Sequence, residues 1–236
     1  MIEVVVPENC MGPPGVGHGG YVSGLLARHI QGASQVTLRR PTPCGVPLAV
    51  EDAGGGRWIL RDGDDVLAEA EPATLDLDVP PVPAVGAARA AETGSPSRWD
   101  ERGVHPICFG CSLSRDDDEG LEVAVGPLAV EGHEEVAAVW RPPARLAGPD
   151  GAVDPHWVLA ALDCPGAMAY IARDRFAGLL GRIVFEQSGR VEPEVDHVVL
   201  GWQIGEDGRK LFAGTALAAA DGTVLARSRQ TWFERI

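Results

Sequence analysis

Two stretches decide how this chain is read. One is Gly17-His18-Gly19-Gly20-Tyr21-Val22-Ser23-Gly24-Leu25-Leu26; the other is Asp154-Pro155-His156-Trp157-Val158-Leu159-Ala160-Ala161-Leu162-Asp163-Cys164-Pro165. In the first, Val22, Leu25, Leu26 and Ile30 recur at helical spacing, predicting a helix over 19–30. The second reads as a helix over 154–173, with Val158, Leu159, Leu162 and Met168 on its apolar side. Set side by side, His18-Gly19-Gly20-Tyr21-Val22 aligns with Asp154-Pro155-His156-Trp157-Val158.

Working outward, each helix is followed by alternating apolar segments separated by turn residues. After the first come strand-like stretches at 35–40, 47–52, 57–61 and 66–77, preceded at the N-terminus by 2–6. Around the second come 121–125 and 136–140 before it, then 181–186, 195–204, 210–219 and 224–233 after it. Asp207-Gly208 and Asp221-Gly222 are hairpin signals. Asp62-Gly63 followed by Val66-Leu67-Ala68 repeats Asp221-Gly222 followed by Val224-Leu225-Ala226, so the two parts read as a duplication. Between them Pro80, Pro81 and Pro83, an Ala-rich run to Ala91 and Gly94-Ser95-Pro96-Ser97 read as an extended linker without a core pattern. The division is a first half at 1–78, a linker at 79–103 and a second half at 104–236.

The composition narrows the function. The chain has 236 residues, 45% hydrophobic and 23% charged, enough for one large or two small cores. A net charge of -14 argues against nucleic acid, which needs clustered Lys and Arg. No apolar run reaches membrane-span length and no basic leader precedes an apolar core, so no membrane is expected and the default location is cytoplasmic. The 5 cysteines are scattered and odd in number, which fits reduced thiols.

A strand, a long helix and a meander of antiparallel strands, occurring twice, resembles the hotdog superfamily. The resemblance rests on Gly17-His18-Gly19-Gly20, on the Asp163-bearing helix and on the strand order after each. It implies an α+β fold, a double hotdog with two antiparallel sheets each wrapped around a long helix. Single-domain hotdog thioesterases of the phenylacetate-pathway type carry a His-Gly-Gly turn and an acid nine positions after the His, and pair as dimers. Here nine residues after His18 is Ala27, so the first half has the turn without the acid. Nine residues before Asp163 is Asp154, so the second half has the acid without the turn. The losses are complementary, and one composite site is expected: His18, Gly19 and Gly20 binding substrate, Asp163 acting on it.

The chemistry suits those residue types. Glycines at a helix N-terminus let a carbonyl oxygen approach exposed N–H groups, and an Asp beside it serves as general base or nucleophile. The substrate implied is an acyl-CoA or acyl-carrier thioester, with no cofactor beyond coenzyme A as part of that substrate. Arg39, Arg40, Arg141, Arg173 and Arg182 are candidates for its anionic end, unranked. A structural alternative for Asp163 is a cap on a helix segment interrupted by Pro165. Two other functions stay open: an enoyl-thioester hydratase using His156, and a non-catalytic acyl-CoA or lipid binder. A further homodimer of tandem units is also open.

His105-Pro106-Ile107-Cys108-Phe109-Gly110-Cys111 offers two thiols at CxxC spacing, but structural zinc takes four ligands and no second CxxC exists. No metal is expected, and a packed loop is the reading. Asp116-Asp117-Asp118-Glu119 reads as a solvated acidic loop.

Overall fold

The computed structural model describes residues 1–98, 105–115, 119–128, 135–172, 175 and 177–234. The run Asp116-Asp117-Asp118 and Arg173 lie outside the described residues. The first part of the chain forms β1 (Ile2–Val5), α1 (Gly19–Ala27), β2 (Ser34–Leu38), β3 (Pro47–Gly54), β4 (Arg57–Asp62) and β5 (Asp65–Pro72). Then come α2 (Val85–Ala91), β6 (Gly126–Pro127), β7 (Glu135–Trp140), α3 (Pro155–Ala161) and α4 (Asp163–Ile171). The chain closes with β8 (Ala177–Gln187), β9 (His197–Asp207), β10 (Lys210–Ala218) and β11 (Val224–Glu234).

All of these strands lie in one antiparallel sheet of 11, in the order β1-β3-β4-β5-β2-β8-β11-β10-β9-β7-β6. Two sheets were the sequence expectation, and this is a correction. The physical reason is at the seam. Separate sheets would leave β2 and β8 as edges with unpaired N–H and C=O groups. Instead Val36 pairs with Ile183 and Gln35 with Val184, and both Val36 and Ile183 are fully buried. On either side of this seam the order runs β2-β5-β4-β3-β1 and β8-β11-β10-β9-β7, the same sequence of elements mirrored.

Three glycines predicted in turns meet the left-handed backbone those turns require: Gly63 at φ 53°, Gly208 at 58° and Gly222 at 89°. The helices α1, α3 and α4 share a large core with the sheet, built on residues such as Leu26, Leu60, Leu159, Leu162, Ile183 and Leu211. α1 packs on α3, and two glycines set the distance. A Cβ on Gly20 would stand 2.8 Å from Ala160 Cα, and one on Gly24 would stand 2.4 Å from the His156 ring.

Three further expectations change. The stretch read as a linker holds α2, whose Ala88 and Ala91 are buried in a second core with Val198, Leu200, Trp202 and Ala216. The preceding segment is tied down as well, since Arg227 donates to the Leu77 carbonyl at 2.6 Å and the Leu75 carbonyl at 3.2 Å. Residues 121–125, read as a strand, are irregular but largely buried: Leu121 N–H bonds the Phe109 carbonyl and Val123 N–H that of Gly110. The second helix is two helices meeting at Leu162, and that break matters for the site.

Candidate active site

The break between α3 and α4 positions Asp163. Leu162 N–H is shared between the Val158 and Leu159 carbonyls, closing α3 tightly, and Pro165 brings no N–H to the first turn of α4. The Leu162 carbonyl is taken by Gln230 Nε2 of β11 at 2.5 Å, and Gln230 Oε1 accepts from Trp232 Nε1 at 2.7 Å. A buried amide in the sheet thus holds the kink, and α4 begins with Asp163 facing α1. A Cβ on Gly166 would fall within 1.9 Å of Gln230 Oε1, so the helix needs glycine there to lie this close.

At the other helix, His18 is the N-cap of α1, its Nδ1 accepting from Tyr21 N–H at 3.3 Å. The aligned position Asp154 is the N-cap of α3, its Oδ1 accepting from His156 N–H at 2.9 Å. The four site residues named from the sequence come together. Gly20 N–H donates to Asp163 Oδ2 at 2.6 Å, and His18 Nε2 stands 3.3 Å from the same oxygen. A Cβ on Gly19 would meet Asp163 Oδ2 at 3.1 Å. The capping alternative for Asp163 is not what the geometry shows: α4 has no side-chain cap, and the carboxylate reaches across to the first turn of the other helix.

The electrostatics follow from burial. Both Asp163 and His18 are 2% exposed. Burial pushes the Asp163 carboxyl up, and the His18 ring and the Gly20 N–H offset this only in part. Burial works to lower His18, but the Asp163 carboxylate and a hydrogen bond with Cys108 outweigh it, so the ring sits above its ordinary value. Since Nδ1 accepts from Tyr21, the neutral ring carries its proton on Nε2, toward Asp163 Oδ2. Asp163 Oδ1 is buried and has no partner among the described residues.

These groups open on a cavity of about 520 Å³ lined by His18, Gly19 and Asp163 together with Val22, Met168, Leu180 and Trp232. Leu179 and Phe233 also line it, and are 51% and 43% exposed. The arginine candidates now separate. Arg39 and Arg40 line the cavity, paired with Glu69 at 2.7 Å and Asp65 at 3.2 Å. Arg182 bonds Thr37 Oγ1 at 3.2 Å across the seam. Arg141 faces Asp196 at 3.5 Å and is not part of the lining.

Sequence reasoning missed the thiols on the cavity floor. Cys164 Sγ lies 3.2 Å from His18 Nε2 and 3.6 Å from Cys108 Sγ, and Cys111 Sγ lies 3.4 Å from Cys108 Sγ. Hydrogen bonds from Cys111 and Cys164 hold the Cys108 thiol well below the usual range against its burial. Cys111 and Cys164 are pushed well above it, first by their bonds to Cys108. The CxxC was visible in the sequence; its partners at positions 18 and 164 were brought by the fold. The hydratase candidate His156 lies elsewhere, against Arg28, Tyr21 and Trp157, and does not line the cavity.

No family model matches the chain, and no curated protein matches it. Solved structures do. It resembles the tesB protein MAP1729c of Mycobacterium avium subsp. paratuberculosis at 14% identity, covering 96% of this chain and 90% of that one, with a TM-score of 0.60. A candidate thioesterase from Novosphingobium aromaticivorans gives 16% identity, 99% and 95% coverage and 0.63. A hot dog fold protein of unknown function from Alicyclobacillus acidocaldarius gives 13%, 99% and 92%, and 0.63. The chain therefore has a hotdog-type fold over nearly its whole length. Among the described residues no helix is long and apolar enough to cross a membrane.

Proposed function

We propose that the chain is an acyl-thioester hydrolase with one composite site, built from the start of α1 in the first half (1–78) and the start of α4 in the second (104–236). The observation that carries this reading is the Asp163 carboxylate on the wall of a mostly apolar cavity, 2.6 Å from the buried Gly20 N–H at the start of α1. The mirrored strand order about the β2–β8 seam supports the duplication behind it, a double hotdog within one continuous sheet.

In this reading the acyl group lies among Val22, Met168, Leu180 and Trp232. The thioester oxygen takes N–H groups of the first turn of α1, where the helix leaves donors without intrahelical acceptors and its dipole favours developing negative charge. Gly19 lines the cavity, and the adjacent Gly20 N–H, which donates to Asp163 Oδ2, is released to the oxygen as the carboxylate turns to its task. Asp163 then either draws a proton from water or attacks the carbonyl itself, and Oδ1, lacking a partner among the described residues, is the oxygen free to do so. His18 Nε2–H steadies the ionised form. The leaving thiol departs toward the mouth, where Arg39 and Arg40 meet the phosphates of a coenzyme A carrier.

The hydratase alternative loses support from His156, whose Nδ1 is 3.1 Å from Arg28 Nη2 and whose ring is held neutral away from the cavity. The test is thiol release from saturated acyl-CoAs of graded length and from acyl-carrier thioesters, alongside hydration of enoyl-CoAs. Thiol release lost in Asp163→Ala, with affinity for a thioether analogue retained, supports the hydrolase. Hydration without thiol release supports the hydratase, and binding of the analogue with neither reaction leaves a binding protein.

A further inference from the structure

Three metal-ligating side chains, His18, Cys108 and Cys164, meet at the cavity with Cys111 beside Cys108 but outside that close group, and the hydrolase reading uses only His18. Cys108, Cys111, Cys164 and His18 are each less than a tenth exposed. His18 Nε2, Cys108 Sγ and Cys164 Sγ lie within 4.8 Å of one another, and Cys111 Sγ is 3.4 Å from Cys108 Sγ. A tetrahedral zinc ion with Zn–S near 2.3 Å and Zn–N near 2.0–2.1 Å places its donors roughly 3.5–3.8 Å apart. Of the donor pairs, Cys108–Cys164 at 3.6 Å falls within that range, and His18–Cys164 at 3.2 Å and Cys108–Cys111 at 3.4 Å lie slightly below it, while Cys111 has to move toward His18 and Cys164 to complete the set.

From this we propose that Cys108, Cys111, Cys164 and His18 Nε2 form a Cys3His site for zinc. The site stands whether or not the chain hydrolyses thioesters. Three of the four donors are sulfurs, the type that selects zinc over magnesium or calcium. The loop carrying Cys108 and Cys111 is fitted to the purpose: a Cβ on Gly110 would stand 2.5 Å from His18 Nε2 and 2.7 Å from Cys164 Sγ, so only glycine lets the loop close over the donors. The cavity supplies an entry path, since all four residues line it. Binding releases the remaining thiol protons to solvent as the thiols become thiolates. Coordination at Nε2 moves the ring proton to Nδ1, at the expense of the 3.3 Å contact from Tyr21 N–H, the longer of the two helix-cap contacts. With zinc bound, Asp163 loses the Nε2–H of His18 that the hydrolase reading assigns to it and keeps its bond from Gly20 N–H. Four protein ligands close the coordination sphere, so the ion acts as a structural staple. It ties the loop at the head of the second half to the starts of α1 and α4, the two helix ends that hold Gly20 and Asp163.

The experiment uses the intact chain, purified without chelator after growth with added zinc, with metal content measured by mass spectrometry and thiols counted by a reactive dye on the native protein. About one zinc per chain is expected, the ion shielding Cys108, Cys111 and Cys164 from the dye until a strong chelator is added. Cobalt(II) substitution should give thiolate charge-transfer bands and the intense visible bands of a tetrahedral centre. Cys111→Ser and His18→Ala should each weaken zinc binding by at least roughly tenfold, as loss of a ligand does. The wild-type thiol and cobalt measurements need no variant, so they decide the matter even where a mutant misfolds. Three results would overturn the proposal: native protein that neither holds nor takes up zinc; a Cys108–Cys111 disulfide in its place; or zinc affinity unchanged in His18→Ala, which removes the nitrogen from the set.

Discussion

At the residue scale the site depends on how closely α1 approaches the other two helices. A Cβ on Gly20 would stand 2.7 Å from Asp163 Cβ and 2.8 Å from Ala160 Cα, neither of which is a movable side-chain tip. Gly20→Ala should therefore force α1 away, destabilising the fold by about 1–3 kcal/mol as overpacking does, with turnover falling further than stability requires. Thermal denaturation and thiol-release kinetics on the same preparation check both. A second residue-scale prediction concerns His156, 5% exposed, whose pKa burial and the Arg28 charge push down to about 3, against a weaker pull from Asp154. Its folded pKa lies below its unfolded value near 6.5. Between those limits the unfolded chain takes a proton that the folded chain does not, so stability falls as pH drops from about 6.5 toward 3 and loses nothing further below that. The contribution is on the order of a few kcal/mol across the window. In His156→Gln, the urea midpoint should decline less over that range; an unchanged slope would show that His156 is not the group responsible. At this scale the approach of Asp163 to the His18-Gly19-Gly20 turn was expected only through the resemblance to hotdog thioesterases, whose nine-residue spacing points away from Ala27 and toward Asp163. The thiol cluster was not, since Cys164 and His18 are 146 positions apart and no local spacing connects them.

Among the elements, the kink between α3 and α4 is the device that aims Asp163, and Gln230 holds it from β11. Gln230 is fully buried, donates to the Leu162 carbonyl and accepts from Trp232 Nε1. Gln230→Leu leaves a buried carbonyl and a buried indole N–H unpaired, at a cost of about 1–3 kcal/mol for each. We expect a lowered urea midpoint and a reduced kcat, with Trp232 fluorescence reporting the altered indole environment; unchanged stability would mean the kink is held otherwise. The helix expected over 154–173 ran through the break, because apolar residues such as Leu159, Leu162 and Met168 continue on either side of Pro165. The short α2 was hidden by its surroundings. Pro80, Pro81 and Pro83 signal extended chain, and the alanines after them look like filler until Ala88 and Ala91 are seen buried under the sheet's second core. Residues 121–125 show the reverse failure: an apolar run reads as a strand, although its described N–H bonds go to the Cys108–Cys111 loop.

For the whole molecule, the pairing of β2 with β8 joins the strands of both halves in one sheet. Val36 and Ile183 face each other across that seam with no exposure. Ile183→Ala should cost about 2–5 kcal/mol, as large-to-small changes in packed cores do. Far-UV circular dichroism and tryptophan fluorescence should still report one coincident transition; two separate transitions would show that the halves fold independently. The fusion of two expected sheets into one was beyond the sequence, since alternation marks which face of a strand is buried but not which neighbour its edge finds. What the sequence did carry to this scale was the expectation of a duplication, on which the proposed composite site rests. Steady-state thiol release by wild type and Asp163→Asn, on the acyl-CoA the wild type prefers, measures that sharing directly. A composite hydrolase site requires kcat reduced by about 10²–10⁴-fold in the variant, with affinity for a non-hydrolysable thioether analogue within a few-fold of wild type. A variant that turns over as fast as wild type would remove Asp163 from the chemistry, and the shared site with it.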